Sequence, residues 1–349
     1  MTHKKRNIVW MLALLLIVVV ILSAGAGALS ISPAQVLSIA LDSIGLESFA
    51  EFNEQQSVVL SHIRLPRVLL ALLIGASLST SGAAMQALFR NPLADPSIIG
   101  ISAGAALTSA LGIVVLGQWL NSIAFGANIS MLSLLTFGGA LLTTWLVFKL
   151  SHVQGRVLVA TMLLAGIAIN AFASAGTGFL TYTATDDQLR SITFWTLGSL
   201  GGATWQHVLV MLPFALLPFT RIFSMSKALN AFALGETEAA HIGTPTEKVK
   251  RNVVIFAAMS VGASVSLAGI IGFVGLVVPH ILRQIGGPDN HYMLPASALG
   301  GALLLIFADT VSRTVLAPAE LPIGILTAIV GAPVFIGILL KDRNKMNWL

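Results

Sequence analysis

Two arginines flank a proline at the start of an apolar run, in the motif Arg64-Leu65-Pro66-Arg67. A proline suits the first turn of a helix and would fix the direction in which both guanidinium groups project. Because guanidinium groups bind carboxylates through paired hydrogen bonds, the motif predicts, together with Arg313, a basic patch for acidic residues of another protein. The alternatives are that these arginines anchor the chain at lipid headgroups or pair with Asp309 and Glu320.

The segment 227–251, KALNAFALGETEAAHIGTPTEKVKR, differs from the apolar sequence around it. It predicts a short amphipathic helix broken at Gly235 and a second piece from Glu236 to Ile242 that ends at Gly243. A short structured loop with apolar and acidic residues favours docking to a soluble partner. The alternative is a surface helix that rests on lipid headgroups.

A third cluster combines Arg190, Phe194 and Trp195 with the glycine-rich run 198–202. A cation and aromatic rings beside flexible backbone are typical of a pore mouth that contacts a substrate. An ordinary belt of aromatic residues at the membrane interface is an equal alternative.

Several kinds of chemistry lack the residues that they require. The chain has no cysteine, so disulfides and thiolate metal sites are excluded. It also lacks the G-x-x-x-x-G-K-[ST] phosphate loop of ATPases. We see neither a nucleophile–base pair nor a metal-ligand cluster in the apolar runs, and therefore predict no catalytic residue, no metal site and no enzymatic activity.

The elements that must position these residues are membrane spans. The chain is 56% hydrophobic and 9% charged, whereas soluble domains have roughly a quarter charged residues. Apolar runs of about 20 residues, enough for a helix to cross a bilayer, recur along the sequence. They predict an all-α polytopic membrane protein with spans near 8–29, 64–88, 97–117, 129–149, 157–181, 193–220, 252–272, 273–286, 293–312 and 321–340.

The basic residues predict the orientation of these spans. With both termini in the cytoplasm, all but four of the 19 lysines and arginines fall on the cytoplasmic side. The net charge of +5 is therefore attributed to topology and not to nucleic-acid binding. The first run is longer than the core of a signal peptide and predicts a retained span, whereas the eighth is too short to cross alone and predicts a broken or re-entrant helix.

Two similar strings suggest an internal repeat. GASLSTSG at 75–82 and GASVSLAG at 262–269 lie in spans that the predicted topology runs in opposite directions. This arrangement indicates an inverted repeat, in which two similar halves are related by an axis in the membrane plane. Small residues that let helices approach closely would give a similar pattern without a repeat.

Several long motifs, taken together and in order, resemble the iron-chelate, haem and cobalamin permeases of bacterial ATP-binding-cassette (ABC) importers. They cover nearly the whole chain and are RLPR (64–67), GASLSTSGAAMQALFRNPLADPSIIGISAGAA (75–106), LGETEAAHIG (234–243), GFVGLVVPHILR (272–283) and ADTVSRTVLAPAELPIGILTAIVGAPVFIGILL (308–340).

The resemblance implies a type II importer fold with about ten helices per subunit, in one permease domain over 1–349. It implies a bacterial inner-membrane homodimer that assembles with two cytoplasmic ATPase subunits and a periplasmic binding protein. Residues 30–63 would be periplasmic and 221–251 would form the cytoplasmic coupling loop. ATP and Mg²⁺ would bind the ATPases, so no cofactor is expected in this chain.

The resemblance also assigns roles to individual residues. Arg64, Arg67 and Arg313 would meet acidic residues on the binding protein. The substrate path would be lined by the fifth span, the segment that follows it and the tenth span. The residues expected to contact the ATPases are Leu234, Gly235, Glu236, Ala239 and Gly243.

The substrate is predicted from one stretch. Residues 185–205 resemble haem permeases more than cobalamin permeases, and Arg190 could pair with a haem propionate. Ferric siderophores and cobalamin are the alternatives. A transporter that works without ATP is a rival of another class, although the spans lack Asp, Glu or Lys near their midpoints.

Overall fold

The computed structural model describes residues 2–43, 45–117, 131–317 and 319–346, and these parts of the chain are almost entirely helical. The helices, in chain order, are α1 (His3–Gly25), α2 (Pro33–Asp42), α3 (Glu54–Val59), a π-helical turn (Leu60–Arg64), α4 (Leu65–Leu88), a 3-10 turn (Pro96–Ile99), α5 (Ile101–Val114), α6 (Met131–Leu150), α7 (Val159–Thr183), α8 (Asp186–Leu197), α9 (Trp205–Ser224), α10 (Ser226–Phe232), α11 (Glu236–His241), α12 (Thr246–Ala268), α13 (Val274–Gly286), α14 (Asn290–Val315) and α15 (Ile323–Met346). A small antiparallel hairpin, β1 (His152–Val153) and β2 (Arg156–Val157), joins α6 to α7.

The helices account for the ten predicted spans. Among the described residues, seven helical segments are long and apolar enough to cross a membrane, and three further helices, α5, α13 and α15, contain shorter apolar stretches. The start of the predicted fourth span, residues 129–130, lies outside the described residues. We therefore describe the chain as an all-α polytopic membrane protein, as the sequence predicted.

The predicted sixth span, 193–220, was wrong at its start. Residues 193–197 belong to α8, which ends before Gly198 at a φ of 71°. The span itself begins at Trp205, where Thr204 and His207 form a reciprocal N-terminal cap. Hydropathy misses this boundary because residues on both sides are apolar, whereas helix termini depend on local capping geometry.

The short eighth element is confirmed as a broken helix. Residues 269–273 interrupt the apolar stretch between α12 and α13, and α13 has only 13 residues. Gly269 and Phe273 both have positive φ values, 72° and 68°. Phenylalanine rarely adopts this conformation, which suits glycine, so the surrounding helices must hold the turn at Phe273 in place.

Helix α4 is the centre of the bundle. In its most apolar stretch, 83% of the residues are buried within the chain, against α14, α12, α13 and α9. The first of the two similar strings lies in α4 and the second at the C-terminal end of α12, and these two helices pack against each other. Their close contacts rely on small residues, the usual means by which membrane helices approach each other.

The contact between Gly75 of α4 and Gly301 of α14 leaves no space for a side chain. A Cβ atom added at Gly75 would collide with the carbonyl group of Gly301. Gly75→Ala should therefore lower the free energy of unfolding by about 1–3 kcal/mol through overpacking. Thermal unfolding of purified protein in detergent measures the change.

Gly138→Ala is the matched control, since a Cβ atom there meets no atom within 4 Å. In the helix α6 this substitution should leave stability equal or raise it by up to about 1 kcal/mol. Equal melting temperatures for both variants would contradict the close α4–α14 contact.

Two long helices bury little of their surface within the chain. Only 11% of the apolar window of α1 and 17% of that of α7 are buried. The exposed side chains of α7 include Leu164, Phe172 and Phe179. These surfaces are available to lipid, to another subunit or to a transport path.

Candidate functional site

The predicted arginines gather at one end of the bundle. Arg64 ends the π-helical turn, Arg67 lies in the first turn of α4, and Arg313 lies in the last turn of α14. We call this end the arginine face, and the opposite end, which carries α10 and α11, the loop face. Pro66 is in the first turn of α4, as expected from its position between the arginines.

A buried carboxylate holds two of these arginines together. The Nε of Arg67 donates to Asp309 Oδ1 at 2.9 Å, and its Nη1 donates to Glu320 Oε1 at 2.7 Å. Arg313 Nε lies 3.6 Å from the other oxygen of Asp309. Pairing with Asp309 and Glu320 was the alternative that the sequence left open, and for Arg67 the structure shows these contacts.

The arginines also bind the end of α1. Arg64 donates through Nη1 to the carbonyl oxygens of Ala24 and Gly25, at 3.1 and 2.7 Å. Arg313 donates to Ser23 Oγ at 2.8 Å and to the carbonyl oxygen of Ala26 at 3.1 Å. These bonds satisfy carbonyl groups at a helix C-terminus, which have no partner within the helix.

The arginines of the arginine face are buried, and an acidic residue beside them is exposed to water. Arg64, Arg67 and Arg313 are 5%, 6% and 8% exposed, whereas the Glu320 side chain is 41% exposed. A carboxylate from another protein would therefore reach Arg67 by displacing Glu320. Whether the arginines dock a partner stays a prediction.

The predicted substrate residues line one cavity near the arginine face. It has a volume of about 560 Å³ and is lined by Arg190, Phe194 and Trp195 together with Ser199, His207 and Ser266. Helix α8 presents the first three residues and is capped at its start by Thr185 and Gln188. The side chain of Gln188 also donates to the carbonyl oxygens of Ile113 and Val114, both at 3.3 Å, which ties α8 to α5. His207 was not among the predicted site residues, and no motif in the sequence marks it; it also caps α9 together with Thr204.

The loop face carries the predicted coupling segment. Gly235 and Gly243, with φ values of 130° and 85°, lie on either side of α11. Leu234 is 65% exposed, whereas Ala239 is fully buried within the chain. Ile242, which the prediction did not include, is 64% exposed, so the segment has an exposed apolar side chain on each side of α11.

The remaining predicted coupling residue, Glu236, forms an ion pair inside the chain. Its Oε1 lies 2.6 Å from the ammonium group of Lys250, which is itself fully buried. The prediction that Glu236 contacts another subunit is not tested by this arrangement. The Glu236 side chain as a whole is 42% exposed.

A second network joins α10 to the turn between α13 and α14. Asn230 donates to Asp289 Oδ1 at 2.9 Å and accepts the backbone N–H of Asn290 at 2.7 Å. Partial burial favours a raised pKa for Asp289, but hydrogen bonds from Asn230, His291 and Lys5 outweigh it and lower the pKa to about 2. The carboxylate is thus ionised throughout the physiological pH range, and the predicted first helix of the coupling segment is held to the bundle.

No group of three or more metal-ligating side chains occurs among the described residues. The charged clusters are instead ion pairs at the two ends of the bundle, and the cavity lined by Arg190, Phe194 and Trp195 lies near one end. Helices of membrane length with charged clusters at both ends of the bundle define a polytopic membrane protein.

The chain belongs to the FecCD transport family, whose model matches residues 15–341. It is 41% identical over 346 residues to the hemin transport system permease protein HmuU of Yersinia pestis, with 98% of both chains covered. It is 40% identical over 344 residues to the vitamin B12 import system permease protein BtuC of Salmonella paratyphi A, again with 98% of both covered.

A solved structure shares the fold along the whole chain. It is described as an inward-facing conformation of a metal-chelate type ABC transporter, and it matches with a TM-score of 0.83 and 32% identity. The match covers 97% of this chain and 99% of the solved chain. The chain is therefore an ABC importer permease with the type II fold, and such permeases work with ATPase and binding-protein partners.

Proposed function

We propose that the chain forms, as a homodimer, the membrane path of an ABC importer that moves an iron chelate from the periplasm to the cytoplasm. Haem is the favoured substrate and a ferric siderophore is the next. The observation that carries the proposal is the loop face, where Leu234 and Ile242 are exposed on a segment built from the short helices α10 and α11. We take these two exposed side chains, on a segment that differs from the membrane spans, as the contact surface for a protein partner.

The loop face is assigned to the cytoplasm, with both termini on that side. The basic residues support this orientation, because cytoplasmic loops of membrane proteins are rich in lysine and arginine. The arginine face, with α2 and α3 in the segment 30–63, is then periplasmic. ATP and Mg²⁺ bind the partner ATPases in this scheme, and the permease performs no bond chemistry.

The homodimer is proposed from α7. This helix buries 17% of its apolar window within one chain, and its exposed surface includes the small residues Ala168, Ala171 and Ser174. Small residues allow close helix packing in membranes. A second copy of the chain facing this surface would enclose a central path between the two subunits.

Haem is favoured because of the cavity chemistry. A haem has a flat aromatic ring and two carboxylates, and the cavity offers Phe194 and Trp195 with the cation Arg190. Aromatic rings stack on such a ligand and a guanidinium pairs with its carboxylates. The haem and vitamin B12 relatives are about equally similar to this chain, so cobalamin is the alternative substrate.

The substrate proposal is tested by ATPase stimulation. The permease is reconstituted with its ATPase, and hydrolysis is measured after adding a binding protein loaded with haem, ferric siderophore or cobalamin. We expect the haem-loaded form to stimulate hydrolysis most. Stimulation by the siderophore or cobalamin form alone would refute haem as the substrate.

Docking of the binding protein is proposed at the arginine face. Three arginines and two acids leave this cluster with a positive charge, and Glu320 covers Arg67 from the water side. Glu320→Gln should therefore raise the affinity for the binding protein, by about tenfold at low salt, because a competing carboxylate is removed. Affinity is measured by surface plasmon resonance on permease in nanodiscs.

Glu47→Gln is the matched control, since Glu47 is an exposed acid of the segment 30–63, which the proposed orientation places on the same side of the membrane as Glu320. It makes the same change in charge without freeing Arg67. Equal effects of the two substitutions would mean that only overall charge matters and that Arg67 is not a docking residue.

A further inference from the structure

The loop face contains a buried lysine whose ammonium group is surrounded by hydrogen-bond acceptors of the same chain. Lys250 of α12 is 0% exposed, and its Nζ lies 2.6 Å from Glu236 Oε1, 2.6 Å from Glu247 Oε1 and 2.6 Å from the carbonyl oxygen of Val157. An ammonium group has three N–H donors, so these oxygens account for all of them. We call this arrangement the Lys250 hub.

The hub is closed by a further bond. Glu247 accepts the backbone N–H of Val157 through Oε2 at 3.0 Å, while its other oxygen faces Lys250. Val157 is thus held by both its N–H and its carbonyl group. A buried charge is costly unless it is paired and hydrogen-bonded, and the hub meets this requirement only with all of its partners in place.

The partners of Lys250 come from separate elements. Glu236 is the first residue of α11, and Val157 ends β2, two residues before α7 begins. Ala239 is the buried residue of α11, and Glu236 supplies its ion pair with the bundle. Glycines with positive φ lie at both ends of α11. A displacement of α11 therefore acts directly on the Glu236–Lys250 bond.

We propose that Lys250 is a positioning residue that transmits movement of α11 to α7. The inference rests on the proposed function, in which an ATPase pushes on the segment around α11 and α7 borders the path. Helix α7 buries little of its surface in its own chain. We therefore expect a displacement of Val157 to move α7 more readily than a similar displacement would move the largely buried α4. Rigid contacts of this kind carry coupling between distant sites.

Because the chain has no cysteine, a single cysteine introduced into α7 can report on the movement of that helix alone. Ser174→Cys places one thiol on the exposed surface in the outer half of α7. Its rate of reaction with a water-soluble maleimide is measured in the complete complex with ATPase and binding protein, with and without ATP and vanadate. In the parent chain we expect ATP to change this rate.

Two variants of the hub are combined with the reporter. Glu236→Gln weakens the bond to α11 while keeping Lys250, Glu247 and Val157 together, and Lys250→Met removes the ammonium group at similar length. In both, we expect the ATP-dependent change in labelling to fall about tenfold, within the range of coupling between sites. Lys250→Met, which lies outside the predicted ATPase contacts, should still allow the complex to assemble and hydrolyse ATP. Lys250→Arg, which keeps the charge, should restore part of the change.

Lys149→Met is the matched control, because Lys149 is an exposed lysine at the loop-face end of α6. In this variant, ATP should change the labelling rate of the Ser174→Cys reporter as much as it does in the parent chain. An undiminished change in Glu236→Gln and Lys250→Met would overturn the inference, as would loss of ATPase binding in both, which would give the hub a merely structural role. A parent chain that binds the ATPase but shows no change would also overturn it, whereas a parent chain that binds no ATPase would refute the proposed function itself.

Discussion

Replacing Arg67 with methionine should lower the free energy of unfolding by about 3–5 kcal/mol, because it leaves a buried carboxylate without its partner. Asp309 is 1% exposed and accepts two hydrogen bonds from Arg67 Nε, at 2.9 and 3.2 Å. Arg313, the other arginine nearby, approaches Asp309 only to 3.6 Å. Thermal or denaturant unfolding in detergent measures the loss.

A double variant separates the ion pair from ordinary packing. Asp309→Asn removes the unpaired charge, so Arg67→Met combined with Asp309→Asn should be more stable than Arg67→Met alone. Arg156→Met is the control for loss of a cation, because Arg156 is exposed in the hairpin, and it should change stability by less than about 0.5 kcal/mol. If Arg67→Met were as stable as Arg156→Met, the buried cluster would not hold α4 to α14.

Replacing Leu234 with aspartate should weaken binding of the ATPase about a hundredfold while leaving the permease folded. Leu234 is 65% exposed in the chain, and full burial of a leucine in a partner groove contributes about 1.5–3 kcal/mol. An aspartate loses this contribution and adds the cost of burying a charge. Ile242→Asp, on the other side of α11, should act similarly.

Val153→Asp is the matched control for these variants. Val153 is 42% exposed on the hairpin of the loop face and lies outside α10 and α11. ATPase affinity is measured with purified components in nanodiscs, together with the melting temperature of each permease. Equal weakening by Val153→Asp, or native affinity of Leu234→Asp, would show that the ATPase binds elsewhere.

The sequence predicted the spans because the bilayer imposes a simple rule on composition. An apolar run long enough to cross is visible without any knowledge of packing, and all ten runs correspond to helices. The start of α9 was misplaced because Gly198 and Thr204, which end and begin helices, have little effect on average hydropathy. Capping is a local geometric property that composition does not report.

The charged clusters were harder to predict because their partners are distant in sequence. Arg67 and Asp309 are 242 residues apart, and nothing in the local pattern fixes their contact. Both acids near the arginines were considered, but the burial of Arg67 follows from helix packing. Lys250 was interpreted only as a basic residue of the cytoplasmic side, although Glu247 three residues earlier was a signal for pairing on one helix face.

The loop face shows a similar division between pattern and packing. The glycines at 235 and 243 predicted the ends of α11, and both have the positive φ that favours glycine. Which side chains of the segment point outward could not be predicted, since α11 has only six residues and its burial depends on α12. Ala239 is consequently buried, and Ile242 is exposed.

Uptake into sealed proteoliposomes tests the central claim most directly. The permease is reconstituted with its ATPase, and radiolabelled haem on the binding protein is offered outside, with ATP enclosed within. We predict accumulation that requires ATP, persists after ionophores dissipate ion gradients, and is lost when the ATPase is omitted. Accumulation by the permease alone, or accumulation driven by an ion gradient without ATP, would contradict an ABC importer and support a secondary transporter.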